Sequence, residues 1–187
     1  TLSNGVKMEN VGWPKTEEPY LVLMGEGEAK MRLSSNYYPL QEDKSEEDWK
    51  FRLYEAAGAP HADPTAAILP NNFEIAKAKA NGTSRDIKSY KGNHVEGDLH
   101  LNEFVTAALV NLDNWARNGI AAPSADNHWL QADADNGKAV ARDAYGNALG
   151  GLRSPKIDAP LATYFGCIND SAYSTEGSMI HFTQEQL

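Results

Sequence analysis

A short apolar run near the start of the chain limits the possible folds most strongly. Residues Pro19 to Met24 form this run, and Gly25 closes it. A continuous run of this length, without polar alternation, is typical of a strand buried on both faces of a parallel sheet. Parallel sheets occur almost only where helices cover both faces. The run therefore predicts an α/β fold.

Two carboxylates follow the predicted strand directly. Glu26 and Glu28 flank Gly27, immediately after the glycine that ends the run. Open α/β sheets place ligands and catalytic groups at the carboxyl ends of their strands. The two glutamates are therefore candidate site residues, and a solvated acidic turn is the simpler alternative.

A second strand-like segment ends in a loop that presents a histidine. Apolar and polar residues alternate from Trp49 to Glu55, which predicts a strand nearer the sheet edge with one wetter face. The small residues 56–60 then lead to His61, and they allow the backbone to approach another loop closely. A histidine at such a strand end can act as a base or an acid near neutral pH.

The rest of the chain contains one clear helical pattern. Apolar residues recur at spacings of three and four from Leu101 to Ala116, which predicts a helix with one buried face, capped by Asp98 and ended by Gly119. Residues 30–48 predict a solvated connection, and residues 149–166 contribute edge strands at most. We expect residues 1–65 to hold the last strands of the core with the acid and histidine loops. Residues 66–187 would form a helix-rich and loop-rich region packed on the same core.

Composition restricts the partners. The net charge of −9 argues against binding to nucleic acid, which needs clustered basic residues. No apolar run approaches the roughly 20 residues that span a bilayer, so no membrane partner is expected. The single cysteine, Cys167, leaves the cellular compartment open, with secretion slightly favoured over the cytoplasm.

The order of the candidate residues indicates a chemistry. An acid after one strand and a histidine after the next match the last two members of the order Ser, Asp/Glu, His in α/β-hydrolases. In such a triad the histidine takes the proton of the serine hydroxyl, and the acid holds the imidazole tautomer.

The sequence also resembles the large α/β-hydrolase-domain proteins in four segments that occur in the family's order. These segments are Pro19 to Glu28, Arg52 to Asp63, Ala107 to Gly119 and Asp143 to Pro160. The resemblance implies the carboxyl-side part of a hydrolase fold, that is, the last strands of a mostly parallel sheet with packed helices and long loops. It makes His61 the triad histidine and Glu26 or Glu28 the triad acid. Glu26 is preferred because it stands first after the strand.

One element of the family's pattern is absent. The sequence contains no Gly-x-Ser-x-Gly nucleophile motif, and family members are much longer than this chain. The resemblance therefore implies that the serine lies on another segment or chain of the same precursor. It also implies a small-molecule carboxylic ester as substrate and a mechanism that needs no metal or organic cofactor.

Three alternatives from other classes stay open. Thr1 could be the nucleophile of an amino-terminal amidohydrolase. A metal could be bound by His94, Asp98, His100 and Glu103, although their spacing matches no strong zinc motif. The chain could also be a non-catalytic binding or structural subunit with a hydrolase-like fold, since fold alone does not establish activity.

Overall fold

Two parallel strands form the centre of the first sheet. The computed structural model describes residues 12–62, 72–82, 90–124, 129–171 and 174–187. Strand β1 (Tyr20–Gly25) pairs in parallel with β3 (Trp49–Ala56), and β2 (Lys44–Glu46) adds to the far side of β3 in the antiparallel sense. Gly25 lies opposite Ala56, so the two parallel strands end at the same level. Both the α/β fold and the parallel pairing of the apolar strand are confirmed.

Helices and a second small sheet complete the described structure. Their bounds are α1 (Glu26–Ser35), α2 (Asn72–Ala80), β4 (Val95–Glu96), α3 (Leu101–Asn118), α4 (Pro155–Asp158), β5 (Ala162–Phe165), a 3₁₀ turn (Ile168–Asp170) and β6 (Ser178–His181). The second sheet is antiparallel, with β6 between β4 and β5. Strand β5 is thus an edge strand, as predicted, and β6 lies at the centre of this sheet. Among the described residues, no helix is long and apolar enough to cross a membrane.

Residues 30–48 are not the simple solvated connection that the sequence predicted. Helix α1 begins directly after β1 and continues to Ser35, and β2 follows it. Parallel strands cannot be joined by a tight turn, and the crossover between them is usually helical. Ala29 and Arg32 on α1 are buried, so this crossover helix covers the sheet.

The predicted edge position of β3 is wrong, because the strand lies between β1 and β2. Two of its charged residues, Arg52 and Glu55, are buried rather than wet, whereas Lys50 is half-buried. Arg52 lies 4.4 Å from the ring of Trp115 and donates a hydrogen bond of 2.8 Å to the carbonyl of Ala122. Glu55 is fully buried and accepts two bonds from Arg32, of 2.6 and 2.8 Å. Buried charges are tolerated where they are paired in this way.

Helix α3 follows the predicted pattern over most of its length. It ends before Gly119, as predicted, and this glycine adopts the left-handed conformation with φ of 69°. His100, not Asp98, occupies the N-cap position. Only part of the expected apolar face is covered: Trp115 is buried, whereas Leu109 is 60% exposed.

Candidate active site

The turn from β1 into α1 fixes the first candidate side chain. Gly25 is the N-cap of α1, and Glu28 stands at the third helical position. From that position a glutamate can fold back onto the free amide at the helix start. Glu28 Oε2 accepts a hydrogen bond of 3.0 Å from the Gly25 amide. This bond holds the carboxylate at the carboxyl end of β1.

The second oxygen of the same carboxylate meets the histidine. Glu28 Oε1 contacts Nδ1 of His61. The Glu28 side chain is 8% exposed and the His61 side chain is 52% exposed, so a buried acid supports an accessible imidazole. The contact occupies Nδ1 and leaves Nε2 as the ring nitrogen for exchanging a proton with another group.

Glu26 has different partners. It is fully buried, its Oε2 accepts a bond of 2.8 Å from the Gly58 amide, and its Oε1 accepts one of 2.7 Å from Arg142. The backbone amide of Glu26 donates to the carbonyl of Ala59 at 2.8 Å. These contacts join Glu26 to the loop before His61, whereas Glu28 makes the contact with the ring.

The sequence favoured Glu26 as the triad acid, whereas the geometry supports Glu28. Both glutamates lie in the first turn of α1. Residues two positions apart on a helix point about 200° apart around its axis. The order of the two glutamates after the strand therefore could not show which of them faces the histidine.

The loop that carries His61 is tightly packed against other backbone, as its small residues predicted. A Cβ atom added at Gly166 would lie 2.5 Å from the Cβ of Glu26 and 2.7 Å from the carbonyl oxygen of Ala59. The amide of Ala62, just after His61, donates to the carbonyl of Thr175 at 2.7 Å. Segments far along the chain thus hold the histidine loop on both sides.

Arg142 is the residue of this region that sequence reasoning missed. Its guanidinium donates to Glu26 and, at 3.0 Å, to Asp170, which also pairs with Lys30 at 2.6 Å. Burial by itself would lower the pKa of Arg142, but the two carboxylates outweigh it and hold that pKa above its ordinary value. Arg142 lies 116 positions from Glu26, so no local sequence signal could reveal the pair.

The four residues considered as metal ligands are dispersed over different surroundings. His94 Nδ1 lies 3.0 Å from Ser178 Oγ, and Asp98 pairs with Lys156 at 3.0 Å. His100 occupies the N-cap position of α3, and Glu103 lies in the first turn of that helix. Within the part of the chain that the structure describes, no group of three or more potential ligands comes together. Thr1 lies outside the described residues.

Two parallel strands end at the same level, and beyond their carboxyl ends a buried carboxylate meets an accessible histidine in an α/β protein. The chain belongs to the Alpha/beta hydrolase domain family, whose model matches residues 6–187. This match confirms the family that the sequence resembled. Searches of curated proteins and of solved structures found no match.

Proposed function

We propose that this chain supplies the histidine and the acid of a Ser-Glu-His triad that hydrolyses carboxylic esters. His61 moves the proton and Glu28 orients the ring. The observation that carries the proposal is the contact of Glu28 Oε1 with His61 Nδ1 at the ends of two parallel strands. The family match supports a hydrolase more broadly.

The proposed reaction proceeds by proton transfers through His61. In the first step the serine oxygen attacks the ester carbonyl while His61 Nε2 takes the hydroxyl proton. Glu28 stabilises the imidazolium that forms, and His61 then returns the proton to the leaving alcohol. Water then attacks the acyl-enzyme while His61 takes a proton from it, and His61 returns that proton to the serine oxygen as the carboxylic acid leaves.

The nucleophile is assigned to a segment outside these residues. None of the 187 residues belongs to a Gly-x-Ser-x-Gly motif, which in this fold exposes the serine on a sharp strand-to-helix turn. We place the serine on another segment or chain of the same precursor. The substrate would be a small-molecule ester, and the mechanism uses no metal or organic cofactor.

Labelling with a fluorophosphonate tests this assignment. The native protein, isolated with any partner chain, is treated with the probe, and the labelled peptide is sequenced. We expect the label on a serine within Gly-x-Ser-x-Gly, and we expect it to be lost in His61→Ala. A protein that takes no label and hydrolyses no ester would instead fit a non-catalytic subunit. Label on Thr1 would favour the amino-terminal amidohydrolase.

A further inference from the structure

We propose that Glu26 and Arg142 form a positioning pair that sets the place of His61 relative to Glu28. The inference rests on the proposed function, since it gives the pair a part in that reaction. Neither residue is assigned contact with the substrate. Their effect would pass through the loop that ends at His61.

The contacts of Glu26 hold this loop at two successive residues. Its side chain accepts the Gly58 amide and its backbone amide donates to Ala59, both at 2.8 Å. Gly58 adopts φ of +69°, and a Cβ atom there would lie 2.8 Å from Ile157 Cδ1, so the loop has little freedom at this point. The position of His61, three residues later, depends on this anchor.

Arg142 makes the anchor possible. A fully buried carboxylate is costly unless it is paired and hydrogen-bonded, and Arg142 provides the cation at 2.7 Å. Arg142 is itself held by Asp170 at 3.0 Å and lies 5.1 Å from the ring centre of Phe165. The guanidinium therefore has a defined position from which to fix Glu26.

The same helical turn thus controls both partners of the proposed proton relay. Glu28 presents the carboxylate to His61, and Glu26 holds the loop from which His61 extends. A small shift of the loop would change the separation of imidazole and carboxylate without removing either. Misplacement by about 1 Å can cost about 100-fold in rate.

Arg142→Gln tests the pair in the native protein with its nucleophile-bearing segment present. Arg117→Gln is the control, because it removes an exposed arginine that pairs only with Asp113 on the same helix in the described structure. Four quantities are measured: kcat and KM for p-nitrophenyl acetate, the deshielded Nδ1–H proton resonance of His61, and the urea midpoint of unfolding. Assignment of the resonance uses its loss in His61→Gln.

We expect Arg142→Gln to lower kcat by about 10- to 100-fold with KM within about twofold of wild type, and to broaden or abolish the His61 resonance. Arg142→Lys should recover part of kcat and part of the His61 resonance, and Arg117→Gln should change neither of these two quantities. If Arg142→Gln does not fold, Glu26→Asp withdraws the carboxylate by one methylene and takes the same measurements. An unchanged resonance with unchanged kcat in the folded variants overturns the proposal. So does a loss of activity that only follows a smaller folded fraction while the resonance persists.

The two proposals can fail separately. If the native protein has no esterase activity but Arg142→Gln still abolishes the His61 resonance, the triad assignment fails and the positioning contact stands. If the esterase activity is present and requires His61, yet the Arg142 and Glu26 variants retain both kcat and the resonance, only the positioning pair fails.

Discussion

Glu28 and His61 are 33 residues apart in the sequence, and their side chains meet where two parallel strands end together. The carboxylate contacts the ring with one oxygen and the Gly25 amide with the other. The helix start therefore orients the acid, and the acid orients the histidine.

This arrangement predicts unequal effects for the two glutamates. In Glu28→Gln the side-chain oxygen can still accept the hydrogen bond from the Gly25 backbone amide, but the NH₂ group then faces His61 Nδ1. An NH₂ donor at Nδ1 favours the wrong tautomer of His61, in which the proton sits on Nε2. We expect kcat for ester hydrolysis to fall by about 10³- to 10⁴-fold. Glu26→Gln should lower kcat less, by about 10- to 100-fold, because Glu26 acts on His61 only through the loop that carries it. A larger loss for Glu26→Gln than for Glu28→Gln, with both variants folded, would reverse the assigned roles.

The close packing around the histidine loop predicts a strong effect at Gly166. Gly166→Ala would force a methyl group to within 2.5 Å of the Cβ of Glu26, and such overpacking costs about 1–3 kcal/mol in the free energy of unfolding. Gly137→Ala is a matched control, because among the described residues, its chain neighbours apart, no atom lies within 4 Å of its added Cβ. Urea unfolding should leave Gly137→Ala within about 0.5 kcal/mol of wild type. Equal stabilities for the two variants would show that the loop does not pack as described.

Breaking the buried ion pair between Arg32 of α1 and Glu55 of β3 is predicted to cause a large loss of stability. Removing Arg32 leaves Glu55, which is fully buried, without its cation. We expect Arg32→Leu to lower the free energy of unfolding by about 3–5 kcal/mol. Arg117→Leu, which breaks the exposed pair with Asp113, should leave the free energy of unfolding almost unchanged, because water screens an exposed pair. Chemical denaturation distinguishes the two, and a small effect at Arg32 would contradict the burial of Glu55.

Buried tyrosines predict a loss of stability at high pH. Burial, together with the carboxylate of Asp43, raises the pKa of Tyr54 from its ordinary 10.0 to about 12, and burial likewise raises that of Tyr164 to about 12. The folded state therefore favours the protonated phenols. Their contribution is complete below the unfolded pKa of 10.0 and is lost as the pH rises towards about 12.

Urea unfolding between pH 8 and pH 11.5 measures this dependence. Stability should decline above about pH 10. Tyr54→Phe should make the decline shallower by up to about 1.4 kcal/mol per pH unit, because one ionisation is removed. An identical slope in Tyr54→Phe would show that Tyr54 ionises equally in the folded and unfolded states.

The sequence was sufficient for the features that depend on local patterns. The strands predicted from the apolar run of β1 and from Trp49 to Glu55, and the glycine that ends α3, each appear in the structure near the predicted residues. The order of acid and histidine along the chain also led to the correct family. These signals are local because strand burial, helix periodicity and turn chemistry act over a few residues.

The features that the sequence did not reveal depend on contacts between distant segments. The burial of Arg52 follows from the position of Trp115 and Ala122, and the alternation around Arg52 alone predicted a wet face. The choice between Glu26 and Glu28 depends on the rotation of α1 relative to the histidine loop. The role proposed for Arg142 depends on a contact across 116 positions. The division at residues 65 and 66 remains a prediction.

The central claim is that His61 is the proton shuttle of an ester hydrolase. It is tested most directly by kcat/KM for a simple ester, measured on the native protein and on His61→Ala with the folded fraction of each determined in parallel. We predict a fall of at least about 10³-fold, since loss of a triad member removes the general base. Full esterase activity in a folded His61→Ala variant would contradict the claim.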